Sequence, residues 1–342
     1  MSEWKECSLG EVVTFQRGFD ITQLEQSHGD YPVVSSSGIK SYHSECKVKG
    51  PGVVIGRKGT LGTVFYLKND FWPHDTTLWV KDFHGNIPLF AFYFLKEFEF
   101  GQYDVGSSNP TLNRNHIHVL PCKIPPLPEQ RAIASVLSSL DDKIDLLHRQ
   151  NKTLEAMAET LFRQWFVEEA GEGWENGKLE EVMKISNGKS RPKTIGIIPV
   201  YGGNGILDYT DQFNFDGESI IIGRVGAYCG SIFFENRKIW VSDNALHVRS
   251  KDENENFYLY YLLKTLELNS LAEGSSHPLL TQTLLNSIDI SIPPIKLRNG
   301  FNTFAKMLNT KITQNIKKLR TLGRLRDTLL PKLMSGEVRV TV

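Results

Sequence analysis

The sequence lacks the paired cysteines, long apolar runs and net charge that assign many chains to a class at once. Its four cysteines, Cys7, Cys46, Cys122 and Cys229, include no Cys-x-x-Cys pair, which disfavours a zinc site and a disulfide framework. No apolar run approaches the roughly 20 residues that cross a bilayer, and the N-terminal segment has no signal-peptide pattern. We therefore expect a cytoplasmic protein that does not enter a membrane.

Catalytic motifs are also missing. Gly188-Lys189-Ser190 lacks the first glycine of a Walker A loop, and it does not form a Gly-x-Ser-x-Gly elbow. The chain has no His-Glu-x-x-His, and no Asn-Pro-Pro-aromatic or Asp-Pro-Pro-aromatic tetrapeptide of the kind that amino-methyltransferases carry. We expect that the chain is not an enzyme by itself and holds neither a metal nor a cofactor.

The charge sums to zero, with 39 Lys and Arg against 39 Asp and Glu. A neutral total alone argues against nucleic-acid binding, because such domains usually carry a basic excess. The distribution is uneven, however: residues 297–332 contain nine Lys and Arg and one acid, whereas residues 129–169 contain eight acids and five Lys and Arg. The neutral total therefore conceals two segments of opposite sign.

An internal repeat covers most of the chain. Ile124-Pro125-Pro126-Leu127 recurs 168 residues later as Ile292-Pro293-Pro294-Ile295. Three further blocks recur in the same order at that shift or within two residues of it: Leu9-Gly10-Glu11-Val12 with Leu179-Glu180-Glu181-Val182, Ile55-Gly56-Arg57 with Ile222-Gly223-Arg224, and Gly106-Ser107-Ser108-Asn109-Pro110 with Gly274-Ser275-Ser276-His277-Pro278. The chain is therefore interpreted as a tandem duplication.

Each copy has the same sequence of parts. About 125 residues with the Gly, β-branched and aromatic content of short strands and turns come first, followed by a Pro-Pro pair that interrupts regular structure and then by a long helix. We predict an α+β protein with mixed α/β modules at residues 1–127 and 170–295. Residues 128–169 form the first long helix, and residues 296–342 form the second long helix and a tail.

The two long helices carry a heptad pattern. Apolar residues alternate at spacings of four and three, a coiled-coil signal. The predicted seam of the first helix is Ile133, Leu137, Leu140, Ile144, Leu147, Asn151, Leu154, Ala158, Leu161 and Trp165; that of the second is Phe301, Ala305, Leu308, Ile312, Asn315, Leu319, Leu322, Arg326, Leu329 and Leu333. We predict that the two helices pack as an antiparallel coiled coil that separates the modules. The alternative is that each helix caps its own module.

This organisation resembles the specificity subunits of type I restriction-modification systems. The segments that carry the resemblance are Ile124 to Arg131, Leu137 to Ile144, Leu329 to Gly336, and the openings Trp4 with Leu9 to Val12 and Gly173-Trp174 with Leu179 to Val182. The second junction departs from the pattern, because Pro128-Glu129-Gln130-Arg131 is replaced by Lys296-Leu297-Arg298-Asn299. The local contact at that junction is therefore in question.

The resemblance implies a function and partners. Each module would be a target-recognition domain that reads one half of a bipartite, asymmetric site on double-stranded DNA. The paired helices would set the unread spacer and dock two methyltransferase subunits, which would bind S-adenosylmethionine and methylate adenine, and motor-nuclease subunits would join for restriction. The chain itself would hold no cofactor.

Candidate DNA-binding residues lie where both copies place turns, because readers use polar side chains on loops held by a rigid scaffold. Arginine beside glycine can grip a phosphate or a guanine edge, and small polar residues allow close backbone approach to a phosphate. The candidates are Arg57, Lys58 and Arg224; Ser35, Ser36 and Ser37 with Gly202, Gly203 and Asn204; and Ser107, Ser108 and Asn109 with Ser275, Ser276 and His277. His74-Asp75 and Asp243-Asn244 follow the repeated Trp72 and Trp240, and we expect them to be ordinary turn residues.

Two other functions remain open from the sequence. A DNA-acting enzyme of unfamiliar type would be active as the purified chain with a metal or S-adenosylmethionine. A scaffold that binds only proteins would not show the steep salt dependence that phosphate neutralisation gives to DNA binding.

Overall fold

The computed structural model describes residues 3–104, 110–171, 173–272, 274 and 278–340. The chain divides into two compact units, which do not coincide with the two halves of the sequence. Unit 1 consists of Met1–Leu147 with Lys317–Val342, and unit 2 consists of His148–Ile316. Each unit therefore contains one globular module together with a segment of each long helix.

The N-terminal part of unit 1 begins with a short strand-helix-strand segment and ends in the first long helix; the last part of the second long helix completes the unit. Its elements in chain order are β1 (Lys5–Ser8), α1 (Leu9–Val12), β2 (Thr14–Arg17), β3 (Tyr31–Ser35), β4 (Gly38–His43), β5 (Gly52–Gly56), β6 (Val64–Leu67), β7 (Trp72–Pro73), β8 (Thr77–Asp82), α2 (Pro88–Lys96), α3 (Arg114–His118), β9 (Pro121–Ile124) and the first part of α4 (Leu127–Arg163). The strands form sheets of order β2-β8-β5-β6, β4-β3-β7 and β1-β9.

Unit 2 repeats this sequence of elements. They are β10 (Glu175–Lys178), α5 (Leu179–Val182), β11 (Met183–Asn187), β12 (Ile198–Gly202), β13 (Gly205–Thr210), β14 (Glu218–Gly223), β15 (Ile232–Asn236), β16 (Trp240–Val241), β17 (Ala245–Ser250), α6 (Asn256–Thr265), α7 (Gln282–Asn286), β18 (Asp289–Ile292) and α8 (Ile295–Ser335), whose last part belongs to unit 1. The sheets are β11-β17-β14-β15, β13-β12-β16 and β10-β18. Strand for strand, these are the sheets of unit 1, which confirms the duplication.

The inner strands β5 and β14 of the four-stranded sheets are buried on both faces, which explains why each contains an unbroken apolar run. Side chains of a strand alternate between faces. Val53 and Ile55 of β5 therefore enter the core formed with α2 and the long helices, while Val54 enters a second cluster on the other face. In β14, Ile220 and Ile222 alternate with Ile221 in the same way.

The long helices pack against each other antiparallel within each unit. In unit 2, Asn315 bonds to Asn151 and Phe301 packs on Phe162, so the contacts move backwards along α8 as they move forwards along α4. In unit 1, Arg326 bonds to Asp141. All twenty predicted seam positions are buried or half-buried. This confirms the predicted coiled coil, while each helix also contributes to the core of a module.

The charges of the two helices meet less than their opposite signs led us to expect. Within the described ranges, Arg326–Asp141 is the ion pair that joins α4 directly to α8. Four other basic side chains of α8 are exposed and form no ion pair with a described acid: Lys317, Lys318, Arg320 and Arg324. Apolar packing, rather than a row of salt bridges, therefore holds the helices together.

Candidate nucleic-acid interface

In each unit, the turns that carry the predicted site residues come together at one end of the sheets. We call these groups the loop clusters. The loop cluster of unit 1 consists of residues 35–38, 56–59, 74–77 and 110–112, and the loop cluster of unit 2 consists of residues 202–205, 223–226, 242–245 and 278–280. Segments far apart in sequence thus form one polar surface in each unit.

Backbone hydrogen bonds hold the cluster of unit 1 together around Arg57. The Arg57 N–H donates to the carbonyl of Thr76 at 2.9 Å, and the Leu112 N–H donates to the carbonyl of Arg57 at 2.8 Å. The Gly59 N–H donates to the carbonyl of Pro110 at 3.1 Å. The turn after β5 is therefore fixed on both sides, which positions the side chains that it presents.

The same bonds recur in unit 2. The Arg224 N–H donates to the carbonyl of Asn244 at 3.0 Å, the Leu280 N–H to the carbonyl of Arg224 at 2.9 Å, and the Gly226 N–H to the carbonyl of Pro278 at 3.1 Å. The short Ile-Gly-Arg repeat in the sequence therefore marks a loop whose three anchoring backbone bonds are duplicated.

Two glycines make each of these turns possible. A Cβ on Gly56 or Gly223 would lie 2.1 Å or 2.5 Å from a backbone carbonyl oxygen, so no side chain fits. Gly59 and Gly226 adopt φ values of +82° and +78°, which glycine reaches without the steric cost of a side chain. The spacing of glycine, one residue before and two residues after the arginine, is thus a requirement of the backbone.

In unit 1 the arginine side chain is held by the turn that follows β7. Arg57 Nη1 donates to the carbonyl oxygen of Asp75 at 3.0 Å, and Arg17 Nη2 lies 2.9 Å from the Asp75 carboxylate. Burial and the neighbouring Arg17 lower the pKa of Arg57. The adjacent Lys58 is exposed, and it is the more accessible cation of this turn.

In unit 2, the bonds that the corresponding arginine makes to described residues come from its backbone. Arg224 Nε is buried and has no hydrogen-bond partner among the described residues. Asp243 and Asn244 are exposed beside it, and Val225 takes the place of Lys58. The side chain of Arg224 therefore lacks, among the described residues, the anchoring bond that Arg57 makes to Asp75.

Of the three predicted serines at the end of β3 and in the turn after it, two are buried and one is exposed. Ser35 and Ser36 are 7% and 8% exposed, and Ser35 Oγ donates to the carbonyl of Gly38 at 2.9 Å. Ser37 is exposed. Of this triplet, Ser37 is the hydroxyl that an external ligand reaches, while the other two shape the turn.

The equivalent turn of unit 2 is built from glycines. Gly202 is buried, and a Cβ there would lie 2.2 Å from the Leu207 side chain. Gly203 is half-buried and Asn204 is exposed. Asn204 therefore presents the polar side chain of this turn.

Six predicted residues, Ser107, Ser108, Asn109, Ser275, Ser276 and His277, lie outside the described residues. The prolines that follow them, Pro110 and Pro278, belong to the two loop clusters.

The turns after the repeated Trp residues, which we predicted to be ordinary turns, also belong to the loop clusters. The His74 N–H donates to the carbonyl of Val34 at 2.8 Å, and the Ser242 N–H donates to the carbonyl of Tyr201 at 2.8 Å. These bonds place Asp75 and its counterpart Asp243 inside the clusters. The repeat itself was the signal, since both turns follow a Trp at matching positions.

Asp20, His74 and Asp75 place one possible metal-ligand atom each within 4.8 Å of one another. The Asp75 carboxylate already faces the Arg17 guanidinium at 2.9 Å and His74 Nδ1 at 3.0 Å. A carboxylate engaged by a guanidinium is a poor ligand for a cation, so these residues do not fit a metal.

The second Pro-Pro junction, which was in question from the sequence, keeps its contact with different chemistry. In unit 1, Gln130 Nε2 donates to the carbonyl of Pro125 at 3.0 Å. In unit 2, Arg298 Nε donates to the carbonyl of Pro293 at 3.0 Å, and its guanidinium forms an ion pair with the buried Glu255. A neutral amide in unit 1 and a buried ion pair in unit 2 thus occupy equivalent positions of the repeat.

A duplicated α+β module with a loop cluster at one sheet end and a long helix after each copy is the architecture of a type I DNA-specificity subunit. A family described as the type I restriction modification DNA specificity domain matches residues 1–156 and again residues 171–318. The chain belongs to this family.

Individual relatives support the assignment. The type I restriction enzyme MjaIX specificity subunit of Methanocaldococcus jannaschii is 24% identical, over 91% of this chain and 88% of the relative. The EcoprrI specificity subunit of Escherichia coli is 29% identical over 34% of this chain and 31% of the relative. The crystal structure of a type I restriction-modification S subunit from M. genitalium has the same fold, with a TM-score of 0.74 and 19% identity over 97% of this chain and 96% of that one.

The described part of the chain contains no helix that is both long enough and apolar enough to cross a bilayer.

Proposed function

We propose that this specificity subunit reads double-stranded DNA through its two loop clusters, one for each half of a bipartite site. The observation that carries the proposal is the duplication of one backbone framework with different side chains on it. A fixed framework positions a reader, and the side chains at base edges give it sequence information. The chain acts as a recognition component and leaves catalysis to its partners.

The chemistry of the clusters suits this task. A guanidinium has five N–H donors, so Arg57 retains donors beyond the one given to Asp75, and an arginine can bind the O6 and N7 atoms of guanine. The exposed Lys58 would contact a phosphate, and Ser37 and Asn204 are exposed polar side chains on the neighbouring turns. Arg224, Asn204 and the six serine, asparagine and histidine residues before Pro110 and Pro278 complete the proposed set.

The half-sites should differ, because the clusters differ where they meet solvent. Lys58 is replaced by Val225, and Ser37 by Asn204. An exposed cation and an exposed valine cannot make the same contact with a base or a phosphate. We therefore propose an asymmetric site.

We further propose that residues 1–127 and 170–295 are the target-recognition domains and that the long helices set the unread spacer. Half-site centres about one turn of DNA apart, ~34–36 Å, suit readers on one face of the duplex.

The helices also expose large apolar side chains, including Leu146, Met157, Met307 and Leu325, which supports docking of two methyltransferase subunits. Those subunits would bind S-adenosylmethionine, and motor-nuclease subunits would complete a restriction complex in the cytoplasm.

The test is to sequence adenine methylation in cells that express this chain with its methyltransferase subunit. We expect one bipartite motif, and replacement of residues 1–127 by another module should change only one half of it. One heptad inserted into both helices should lengthen the spacer and leave both halves unchanged. Methylation that is absent although a stable complex forms would refute the reading of DNA by this chain.

A further inference from the structure

The seam between the long helices contains two asparagines that bond to each other. Asn315 is fully buried, and its Nδ2 donates to Asn151 Oδ1 at 2.8 Å and to Gln150 Oε1 at 2.9 Å. All three residues belong to unit 2. Asn315 Oδ1 is buried without a hydrogen-bond partner among the described residues, so the Nδ2 bonds compensate only part of the desolvation of this amide, and losing them would add to its cost.

The duplication makes the position of these asparagines informative. The shift of 168 residues between the Pro-Pro blocks aligns position 151 of α4 with position 319 of α8, and position 147 with position 315. Asparagine occupies 151 and 315, and leucine occupies 147 and 319. The seam of each helix thus carries one asparagine, but the asparagine of α4 and the asparagine of α8 do not occupy equivalent positions of the repeat.

Of the possible helix pairs, only α4 with α8 places asparagine against asparagine and leucine against leucine. The antiparallel register of α4 on α8 places Asn151 against Asn315. Four residues along each helix it places Leu147, which is buried, opposite the half-buried Leu319. In the same register, α4 on a second copy of α4 would set Asn151 against leucine at 147. Likewise, α8 on a second α8 would set Asn315 against leucine at 319.

A second polar contact between the long helices also forms only when α4 pairs with α8. Arg326 Nη1 donates to Asp141 Oδ1 at 2.9 Å, and Tyr93 Oη donates to the other oxygen of that carboxylate at 2.7 Å. The position of α4 that is equivalent to Arg326 is Ala158, and the position of α8 that is equivalent to Asp141 is Asn309. A pair of identical helices therefore loses this ion pair. In addition, α8 carries ten Lys and Arg against one acid, so two copies of it repel each other.

We propose that the offset placement of Asn151 and Asn315, reinforced by Arg326 and Asp141, makes the seam of each long helix specific for the other helix. The same arrangement excludes a second copy of either helix. A duplicated chain carries two nearly equivalent apolar seams, each of which could also pair with a copy of itself. A single polar residue in such a seam can select the partner helix and the register of the pair. This inference concerns the assembly of the chain and does not depend on the DNA-reading function.

The sharpest test is a swap that preserves composition in the full chain. The double variant Asn151→Leu with Leu319→Asn leaves leucine at both positions of α4 and asparagine at both positions of α8. The pairing of α4 with α8 then contains two mismatches, whereas both identical pairings are matched. The matched control moves the asparagine pair by one step, with Asn151→Leu, Asn315→Leu, Leu147→Asn and Leu319→Asn, and it keeps α4 with α8 matched.

Two measurements distinguish these variants: the urea midpoint of unfolding, and sedimentation velocity over a wide range of protein concentration. We expect the swap variant to have a lower urea midpoint than the control and to form dimers as its concentration rises. The control should behave as the unmodified chain in both measurements.

Equal urea midpoints for the swap variant and the control would overturn the proposal, because the stability would then not depend on whether asparagine faces asparagine between α4 and α8. A control that loses as much stability as the swap would do the same, since the individual positions would then decide. A swap variant that is destabilised but gains no dimer at any concentration would overturn the exclusion of a second copy.

Discussion

The two loop clusters share a backbone and differ in how they hold their arginine. In unit 1, Asp75 lies between Arg17 and Arg57 and bonds to both. In unit 2, the strand register puts Asn187 where unit 1 has Arg17, and Arg224 Nε has no partner among the described residues. The comparison teaches that duplication preserved the framework through main-chain bonds and left the side chains free to diverge. A molecule with two readers of different specificity needs this division.

The starts of the long helices give a second comparison. Gln130 is 1% exposed, accepts a hydrogen bond from the Ile87 N–H at 3.1 Å and donates to Asn86 at 2.8 Å. Arg298 instead forms an ion pair with Glu255, which is 2% exposed. The neutral junction depends on hydrogen bonds alone, whereas the charged junction depends on keeping both ions together.

The largest expected effect comes from making the junctions alike with Arg298→Gln. Breaking a buried ion pair leaves the other charge unpaired, which costs about 3–5 kcal/mol. We expect unit 2 to lose roughly this much stability, measured by hydrogen exchange of the α6 and β17 amides. The corresponding change in unit 1, Gln130→Ala, removes hydrogen bonds and some buried packing but leaves no unpaired charge, and it should cost about 1–3 kcal/mol.

The effect of Arg298→Gln should also depend on pH. Burial raises the pKa of Glu255, and Arg298 opposes that rise. Without the arginine, the folded state favours protonated Glu255 even more, so the loss should be larger near pH 8 than near pH 5. An equal loss at both pH values would contradict a role for the Glu255 charge.

A smaller effect is expected at His247, which unit 1 replaces with Trp79. His247 stacks on Phe215 at 3.5 Å and bonds to Ser219, and burial, with the nearby Arg249, lowers its pKa to about 3. The unfolded state binds a proton near pH 6.5 and the folded state does not. Lowering the pH from about 7.5 to about 5 should therefore cost unit 2 about 2 kcal/mol.

Hydrogen exchange of β14 and β17 at the two pH values measures this loss. His247→Gln retains a group that can bond to Ser219 but does not titrate, and it should remove this contribution. If the acid sensitivity of unit 2 is the same in the variant as in the unmodified chain, His247 is not its source.

The smallest change in the folded chain is expected from Lys58→Ala, because Lys58 is exposed. Stability should stay unchanged, while DNA affinity should fall and its dependence on salt should weaken by a slope of about 1 if Lys58 contacts a phosphate. DNA titrations of the assembled methyltransferase at several salt concentrations test this. Val225→Ala is the matched control in unit 2 and should leave the slope unchanged, whereas a changed methylation motif would show that Lys58 reads a base.

Much of the fold could be predicted from the sequence because its signals are periodic or repeated. The heptads identified seam residues from Ile133 to Leu333, and all of those positions are buried or half-buried. The Ile-Gly-Arg repeat located the centre of each loop cluster, since glycines at fixed spacing report backbone constraints. The roles of Asp75 and Glu255 could not be predicted, because their partners are 18 and 43 residues away and no local pattern signals such a contact.

The sequence by itself determined the duplication, the order of the elements and the presence of two matching helical seams, since these depend on local spacing and composition. The tertiary structure decided that each compact unit takes parts of both long helices and that Asn151 meets Asn315. It also decided that Arg57 bonds to Asp75, while Arg224 Nε has no partner in the part of the chain that the structure describes. The physical reason is that hydrogen bonds and ion pairs between distant residues depend on the folded geometry, which brings together groups that local sequence rules treat independently.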